Sequence, residues 1–472
     1  MILPMTVGGS AITSDTCISV TNPATGEVFA SVPDASQADL DLAIAAARSA
    51  FPAWRATSWQ DRAKGLKAVA SAMTAHLDEL AELLTREQGK PLADARGEIA
   101  RSVQWIEYTA GLTLEDEVVG NVPGRSIRIR HLPLGVVAAL APWNFPITLA
   151  IWKLAPAMLA GNTVVLKPSP YTPLTALRLG QIIAPLLPPG VINVVSGSDR
   201  LGPWLTAHPG VDKIAFTGST QTGKAIMASA AQNLRRITLE LGGNDAAIVL
   251  PDVDLQEVVP KLFWAAFRNN AQFCLATKRL YVHDSIYDAF LKSFTAFAAQ
   301  VTLGDGLQVG SQVGPIQNAR QLERVRGFVQ RSRERGERVI EIAPERVPKQ
   351  GFFHPIVLVD SPPDDSEVVA EEVFGPLLPI LRFDDVDEVL QRVNASSYGL
   401  GGSVWGQDTQ RAQEVAQGIE SGTVWVNTIH ELYPHLPFGG HKTSGLGVEN
   451  GLAGLMEYVQ YQTVVGVESS HA

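Results

Sequence analysis

The sequence feature that most constrains the fold is an alternation of short β-branched runs with helix-length segments, which begins at Gly135. This rhythm is typical of a parallel sheet whose strands are joined by crossover helices. Ligands of such sheets bind beyond the carboxyl ends of the strands. The sequence therefore predicts an α/β fold with a site along one edge of a parallel sheet. The predicted strands cover residues 135–140, 163–166, 191–195, 213–216 and 237–239.

Residues 132–152 contain no charged side chain, and a stretch of that length could span a bilayer. Pro133, Pro142 and Pro146 interrupt it, however, and Asn144 adds a polar group near its middle. A buried strand, a turn and a core helix explain this pattern better than a membrane span does. Helices without evident chemistry are predicted earlier in the chain, over residues 36–54, 58–88 and 93–112.

The length and charge of the chain limit its class and its partners. A chain of 472 residues is longer than one hydrophobic core usually supports, so two or three domains are predicted. The formal net charge of −10 argues against nucleic acid or an anionic membrane as a partner, because both attract basic patches. Two cysteines cannot build a disulfide framework, and the first residues lack the pattern of a signal peptide. A cytoplasmic location is the expectation.

Turn-forming residues follow four of the five predicted strands, at residues 141–146, 167–170, 217–224 and 240–244. Glycine, proline, asparagine and serine dominate ordinary turns, so any one of these segments could be turn chemistry alone. The carboxyl ends of parallel strands share one edge of a sheet, and four such segments therefore favour a ligand site there.

One of these segments nearly matches a phosphate-binding loop. Gly218, Gly223 and Lys224 have the required spacing, but the next residue is Ala225, so the hydroxyl that would hold Mg²⁺ is missing. A magnesium-dependent phosphotransferase is therefore disfavoured. No G-x-G-x-x-G fingerprint opens a βαβ unit either, so a dinucleotide would have to bind through a different loop.

Cys274 is one of only two cysteines and follows an apolar, helix-like run. An unpaired cysteine is often an inert small hydrophobe, but a thiolate is also a strong nucleophile. Asn270 and Gln272 offer hydrogen-bond donors nearby, and Lys278 and Arg279 follow one turn later. These neighbours could stabilise a thiolate, so both interpretations stay open at this level.

Seven short motifs follow one another along the chain. In order, they are Pro142-Trp143-Asn144-Phe145-Pro146; Lys167-Pro168-Ser169; Phe216-Thr217-Gly218-Ser219-Thr220; Glu240-Leu241-Gly242-Gly243; Gln272-Phe273-Cys274 with Ala276 and Arg279; Glu372-Val373-Phe374-Gly375-Pro376; and Pro437-Phe438-Gly439-Gly440 with Lys442, Ser444 and Gly445. In content and order they resemble the NAD(P)-dependent aldehyde dehydrogenase superfamily, over nearly the whole chain. The interval between Glu240 and Cys274, 274 − 240 = 34 residues, is similar to the family's as well.

The resemblance implies an aldehyde dehydrogenase-like α/β fold. Residues 1–114 and 134–240 would form a Rossmann-like NAD(P)-binding domain, and residues 241–450 an α/β catalytic domain. Residues 115–133 would form a β-hairpin oligomerisation arm, together with a C-terminal strand within residues 451–472. A homodimer or homotetramer is therefore expected, because such an arm buries its free edge against a neighbour.

The resemblance also implies a mechanism in which Cys274 attacks the aldehyde carbonyl. Asn144 and the backbone N–H of Cys274 would stabilise the oxyanion, and Glu240 would activate the water that hydrolyses the resulting thioester. Lys153 would assist proton movement. Glu240 favours hydrolytic release over transfer to coenzyme A. The alternatives are a coenzyme A-acylating semialdehyde dehydrogenase and a catalytically silent binding or structural relative; retention of the catalytic residues argues against the latter.

The same resemblance implies an NAD cofactor site without a metal. Its residues would be Trp143, Lys167, Ser169, Gly218, Ser219, Leu241, Glu372 and Phe374. NADP is not excluded, because Pro170 stands where NAD-preferring relatives often carry a glutamate that binds both ribose hydroxyls. Without that carboxylate, one obstacle to a 2′-phosphate is absent.

A substrate tunnel is implied along Phe145, Trp152, Phe273, Leu432 and Phe438. This lining predicts an apolar or aromatic aldehyde as the small-molecule partner. No arginine stands out in the sequence to grip a carboxylate, although one could come from elsewhere in the fold.

Two departures from the family pattern bear on catalysis. Ala271 replaces the usual glycine before Gln272, which could stiffen the cysteine loop. Gln460 stands where many relatives have a glutamate in the proton path, so a relay is expected to run through Glu240, Lys153 and water.

Overall fold

The structure is a computed structural model, described here over residues 2–120 and 122–467. The helices, in chain order, are α1 (Gln37–Ala56), α2 (Trp59–Ala75), α3 (Leu77–Gln88), α4 (Leu92–Gly111), α5 (Pro146–Ala160), α6 (Leu174–Ile183), α7 (Leu201–Ala207), α8 (Thr220–Ala231), α9 (Leu255–Phe267), α10 (Asp284–Ala298), α11 (Ala319–Glu334), α12 (Glu367–Ala370), α13 (Val386–Asn394), α14 (Thr409–Ala416) and α15 (Gly451–Met456).

The strands, in the same order, are β1 (Met5–Val7), β2 (Ser10–Ile12), β3 (Cys17–Asn22), β4 (Glu27–Pro33), β5 (Glu117–Val119), β6 (Arg125–Pro133), β7 (Val136–Leu140), β8 (Thr163–Lys167), β9 (Ile192–Val194), β10 (Lys213–Thr217), β11 (Arg236–Glu240), β12 (Asp245–Val249), β13 (Thr277–His283), β14 (Arg338–Ile342), β15 (Ile356–Asp360), β16 (Leu377–Phe383), β17 (Tyr398–Gly399), β18 (Gly401–Trp405), β19 (Thr423–Val426), β20 (His441–Lys442), β21 (Gly445–Leu446) and β22 (Val459–Val467).

The first large sheet has the order β2-β1-β9-β8-β7-β10-β11-β21. Its central five strands, β9, β8, β7, β10 and β11, are the five predicted from the sequence, and neighbouring strands among them pair in parallel. The α/β prediction is therefore confirmed. Because β-branched and other apolar residues fill these strands on both faces, helices cover both sides of the sheet. Strand β21 returns from late in the chain and pairs antiparallel with β11.

The second large sheet has the order β14-β15-β16-β13-β12-β18-β19 and is parallel except for β14. A separate apolar cluster covers each of its faces. One contains Phe263 and Phe290 from α9 and α10, and the other contains Phe328 and Val389 from α11 and α13. The Cys274 segment connects α9 to β13 in this half of the molecule.

A third sheet has the order β22-β6-β5, and β6 pairs with β22 along its whole length, from Arg125 to Pro133. The expected arm and C-terminal strand are thus both strands, and they pair with each other. Residues 468–472 of the predicted C-terminal segment lie outside the described residues. The division of the chain into domains stays a prediction, although β21 places residues 445–446 in the first sheet rather than the second.

Local sequence predicted several elements outside the five central strands. Residues 132–152 form a strand end, β7, a turn and the start of α5, as expected for a buried segment. The single helix predicted over residues 58–88 is wrong, because the backbone leaves helical geometry at His76 (φ −110°, ψ 18°) and α3 begins anew. Within residues 2–120 and 122–467, no helix is both long and apolar enough to cross a membrane.

Candidate active site

The loop that carries Cys274 enters the left-handed backbone region three times in succession. The φ angle is 49° at Asn269, 58° at Asn270 and 58° at Ala271. Residues with a Cβ adopt this conformation at a cost, so surrounding contacts must hold it. The Gln272 side chain supplies one of them by donating to the Asn269 carbonyl at 3.0 Å. These contacts therefore hold the backbone that carries the Cys274 thiol in one conformation. Ala271 occupies a position where glycine would be unstrained.

Three polar neighbours of the cysteine brace this loop instead of supporting the thiolate. The Asn270 amide donates to the Gly314 carbonyl at 3.0 Å, and Arg279 Nε donates to the Asn244 carbonyl at 2.9 Å. Gln272 makes its hydrogen bonds to backbone groups as well. The sequence left open whether these side chains stabilise a thiolate; in the structure they donate to backbone carbonyls, because the irregular loop leaves those carbonyls without other partners.

Burial raises the pKa of the Cys274 thiol to about 12. The Lys278 ammonium lowers this pKa, while the carboxyls of Glu372 and Glu240 raise it further. Lys278 Nζ also donates to the Cys274 carbonyl at 2.6 Å and pairs with Glu372 Oε1 at 3.2 Å, so these bonds go to oxygen atoms rather than to the sulfur. Before substrate binds, the thiol is therefore protonated at neutral pH, and forming the nucleophile requires a base.

Glu240 provides a base in the same cavity as Cys274 and Asn144. It ends β11, is 3% exposed, and neither of its carboxylate oxygens has a hydrogen-bond partner among the described residues. Burial raises the pKa of this carboxyl well above its usual value, the Glu449 carboxyl raises it further, and the Lys153 ammonium opposes them. A carboxylate whose pKa is raised is a stronger base than a free carboxylate.

Lys153 lies behind this carboxyl on α5 and is fully buried. Its ammonium donates to Thr217 Oγ1 at 2.7 Å and to Glu449 Oε1 at 2.9 Å. The second oxygen of Glu449 has no partner among the residues that the structure describes. The sequence predicted a proton relay through Glu240, Lys153 and water, whereas the fold adds a second buried carboxyl at residue 449.

Asn144 is held from both sides. Its side-chain Nδ2 donates to the Gln272 carbonyl at 2.9 Å, and its own carbonyl accepts a hydrogen bond from Lys90 Nζ at 2.9 Å. Lys90 is paired with Glu98, and both are fully buried. An amide nitrogen carries two hydrogens, so one N–H of Asn144 remains for a second acceptor.

Sequence reasoning missed Lys90, Glu98 and the role of Glu449. A signal existed for Glu98, because it lies on the buried face of α4 between Ala95 and Ile99, where an apolar residue is expected. No comparable signal marked Glu449, since its lysine partner is 296 positions away in the chain.

The predicted cofactor residues come from both halves of the molecule. Lys167, Ser169, Gly218, Ser219 and Leu241 lie at or just beyond the carboxyl ends of β8, β10 and β11, along one edge of the first sheet. Glu372 and Phe374 come from the loop before β16. Glu372 accepts the Gly243 N–H at 3.2 Å, and Phe374 packs edge-on against Trp143, with ring centroids 5.4 Å apart.

This edge fits a dinucleotide. The Lys167 ammonium is buried, its one hydrogen bond among the described residues is to the adjacent Pro168 carbonyl at 3.2 Å, and burial lowers its pKa to about 8. It therefore has donors left for ligand hydroxyls. Ser219 caps the N-terminus of the 12-residue helix α8, and such a terminus attracts phosphate. Pro170 supplies no side-chain acceptor beside Ser169.

A cavity of about 180 Å³, open to solvent, reaches Cys274. The residues predicted for the substrate tunnel, Phe145, Trp152, Phe273, Leu432 and Phe438, all line it. Trp152 stacks on Trp105 with ring centroids 5.9 Å apart and meets the edge of Phe438 at 5.4 Å. Aromatic rings therefore form most of the apolar part of the walls, and these three rings pack against one another.

Two arginines, Arg101 and Arg268, also line this cavity. The sequence had singled out no arginine for the substrate, and the fold corrects that expectation. Arg101 comes from α4, and Arg268 is the first residue after α9. They are 167 positions apart (268 − 101), which is why no local pattern joined them.

A half-buried thiol, a buried carboxyl and an amide donor line one cavity, next to a dinucleotide-type cleft at the edge of a parallel sheet, and this arrangement is typical of an α/β oxidoreductase. Residues 11–464 match the aldehyde dehydrogenase family, and the chain belongs to that family. It is an enzyme that oxidises aldehydes.

Curated relatives cover almost all of the chain. A probable aldehyde dehydrogenase from Pseudomonas sp is 44% identical and covers 98% of this chain and 94% of its own. The phenylacetaldehyde dehydrogenase of Pseudomonas fluorescens is 40% identical, with coverage of 98% and 95%. The glutarate-semialdehyde dehydrogenase of Pseudomonas aeruginosa is also 40% identical, with coverage of 94% and 92%.

Solved structures agree with this assignment. Betaine aldehyde dehydrogenase from Staphylococcus aureus, solved in complex with NAD⁺, is 31% identical, has a TM-score of 0.95, and is matched over 98% of this chain and 94% of that one. An E. coli NADP dependent enzyme is 36% identical, also with a TM-score of 0.95, over 99% and 98%.

Proposed function

We propose that this chain oxidises an aldehyde to its carboxylic acid through a thioester on Cys274, with NAD⁺ as the hydride acceptor. The observation that carries the proposal is that one cavity joins the thiol to Glu240 and Asn144. The overall reaction balances as aldehyde, NAD⁺ and water giving acid, NADH and one proton.

The first step is the formation of the nucleophile. Glu240 takes the thiol proton, since its two oxygens are free of hydrogen bonds and its pKa is raised. The sulfur of Cys274 then bonds to the carbonyl carbon, and the carbonyl oxygen takes the negative charge. The free N–H of Asn144 and the Cys274 backbone N–H stabilise this oxyanion, and loss of one such donor costs about 10²–10³ in rate.

Bound NAD⁺ accepts the hydride that leaves the substrate carbon, so that the adduct on Cys274 becomes a thioester. Lys167 and Ser169 would hold the adenosine ribose, Gly218 and Ser219 the pyrophosphate, and Glu372 the nicotinamide ribose. Trp143, Leu241 and Phe374 would flank the cleft. The NAD⁺ complex of the Staphylococcus aureus relative supports NAD⁺. The NADP dependent relative and Pro170 make NADP⁺ the cofactor to compare with it.

Hydrolysis completes the cycle. Before hydrolysis, the thiol proton leaves Glu240 by way of Lys153 and Glu449, which are within hydrogen-bond distance of each other, and this is the one proton released. Glu240 then takes a proton from a water molecule, and the water oxygen bonds to the thioester carbon. The carbon–sulfur bond breaks, and Glu240 returns the water proton to the Cys274 sulfur. A buried carboxyl with no other partner supports hydrolysis rather than transfer to coenzyme A.

The decisive assay is the absorbance of reduced nicotinamide with NAD⁺ or NADP⁺ across a panel of aldehydes. Wild type is expected to produce the free acid, Cys274→Ala to have no activity, and Glu240→Gln to lose most of its turnover, because it lacks the base for both the thiol and the water. Turnover by Cys274→Ala would exclude the covalent route. Product that forms only with coenzyme A, as an acyl-coenzyme A, would replace hydrolysis with acyl transfer.

The cavity walls support an aldehyde with an apolar or aromatic body, because most of the apolar residues in its lining are aromatic. Phenylacetaldehyde, the substrate named for one relative, has such a body. A panel in which short polar aldehydes outcompete benzaldehyde and hexanal would contradict this part of the proposal.

We also propose a homodimer or homotetramer in the cytoplasm. The β22-β6-β5 sheet leaves apolar side chains exposed on β5 and β22, including Val118, Val465 and Val467. Such a surface is typical of an interface between subunits. Light scattering after size exclusion measures the assembly, and Val465→Lys is expected to shift it toward monomer. A wild-type monomer would contradict the proposal.

A further inference from the structure

We propose that the cavity leading to Cys274 selects aldehydes that carry a carboxylate at the end opposite the carbonyl. This inference rests on the proposed dehydrogenase function and names the far end of its substrate. Arg101 and Arg268 line the cavity together with the aromatic walls. Two arginines that line one mainly apolar cavity fit a planar anion on an apolar body.

The two arginines lie at the solvent end of the cavity. Asn144 and Glu240, which would meet the carbonyl, are 4% and 3% exposed to solvent, whereas the side chain of Arg268 is 36% exposed. Arg101 is also partly exposed. A substrate whose carbonyl reaches the thiol would therefore extend its other end toward the guanidinium groups.

The charges around this mouth leave a positive excess. Among the described residues, no carboxylate oxygen lies within 4 Å of Arg101, and Asp94 lies 3.9 Å from Arg268. The nearby Glu98 carboxylate is already paired with Lys90 and accepts the Ile147 N–H. Two guanidinium groups and one carboxylate give 2 − 1 = +1, which a substrate carboxylate would neutralise.

The fold holds Arg101 in place for this role. Trp105, one helical turn later on α4, stacks on Trp152 in the cavity wall, so the same face of the helix carries the arginine. A Cβ at Gly97 would lie 3.3 Å from Arg101 Nη1, so the guanidinium extends back over the position where that glycine lacks a side chain.

An anchor so far from the reacting carbon should act on KM rather than kcat. The carboxylate contacts are the same in the ground state and in the transition state, and uniform binding of this kind lowers KM without raising kcat. A charge-assisted pair is expected to change kcat/KM by about 10- to 100-fold.

The test compares 4-carboxybenzaldehyde with methyl 4-formylbenzoate, which share the ring and the aldehyde and differ in charge. Wild type should use the acid with a kcat/KM about 10- to 100-fold above that of the ester, through KM. Arg101→Met should remove most of this preference, Arg101→Lys should restore part of it, and activity on the ester should persist, which shows that the variant folds.

Arg96→Met is the matched control, because Arg96 lies on the same helix but is exposed, pairs with Asp78 at 2.9 Å and does not line the cavity. It removes the same charge and should leave the preference unchanged. A wild-type preference for the ester, or equal effects of the Arg96 and Arg101 variants, would overturn the inference while leaving the dehydrogenase activity intact.

Binding provides a readout that does not need turnover. In Cys274→Ala, calorimetry should show 4-carboxybenzaldehyde binding about 10- to 100-fold more tightly than the ester, with the difference lost when Arg101→Met is added. Absence of turnover with this difference present would count against the proposed reaction alone. Equal binding of the two compounds would count against the carboxylate site.

Discussion

Two lysine–glutamate pairs are fully buried next to the candidate active site, but they are built differently. The carboxylate of Glu98 is paired with Lys90 and accepts two backbone N–H groups at the start of α5, and Lys90 also donates to the Asn144 carbonyl. In the second pair, Lys153 bonds Glu449 and Thr217, and one Glu449 oxygen has no partner in the described part of the chain.

The difference separates a structural pair from one that is coupled to the chemistry. Removing charges from water is costly, and a buried pair is stable only when extra hydrogen bonds satisfy its remaining polar atoms. The Glu98 pair meets that condition and positions Asn144. The Glu449 pair does not, and its two charges act in opposite directions on the pKa of Glu240.

The largest effect is expected from Glu98→Ala. It leaves the Lys90 ammonium buried without a counter-charge and frees two backbone N–H groups, so the free energy of unfolding should fall by about 3–5 kcal/mol. Urea unfolding measures this. Glu79→Ala is the control, because its pair with Arg178 is partly exposed and should be worth about 1 kcal/mol or less. If both variants lost the same free energy of unfolding, the structural role assigned to the Lys90–Glu98 pair would be contradicted.

An effect of medium size is expected when the Lys153–Glu449 pair is changed, and it concerns the pH dependence of thioester hydrolysis. Glu240 activates water only when deprotonated, so the rate of thioester hydrolysis rises as pH increases through its pKa. Glu449→Gln removes a negative neighbour, lowers that pKa and should shift the acid limb to lower pH. Lys153→Met removes a positive neighbour and should shift the limb to higher pH.

Single-turnover hydrolysis across pH gives these limbs directly. Shifts in the same direction in both variants would mean that they act through folding rather than through charge. Glu98→Gln, which keeps the shape of the first pair, should leave the position of the limb unchanged.

The smallest effect is expected on stability at alkaline pH. The pKa of Glu240 is raised on folding, so its stabilising contribution is present below the unfolded value near 4.5 and is lost as pH rises toward the folded pKa. Glu240→Gln removes this loss and should therefore raise the melting temperature slightly at pH above neutrality, with no gain in acid. A lower melting temperature at alkaline pH would show that the ionised carboxyl is stabilised by a partner.

Local signals were enough to predict the framework of the fold. The five central strands of the first sheet follow from β-branched runs bounded by turn residues, and both properties are set by neighbours in the chain. The break at His76 was missed because the helical pattern continues across it. The resemblance to a family predicted which residues line the cavity, since it carries positional information that spacing alone lacks.

The sequence by itself determined an α/β chain with parallel strands, glycine-rich strand ends and a cysteine after an apolar helix, because periodicity and turn chemistry act over a few residues. Only the tertiary structure decided which polar groups face that cysteine. The side chains of Asn270, Gln272 and Arg279 donate hydrogen bonds to backbone carbonyls. Glu449 and Arg101 lie near the site although they belong to segments distant in the chain. The physical reason is that a buried polar group takes whichever partner the packing of the whole chain brings within hydrogen-bond distance.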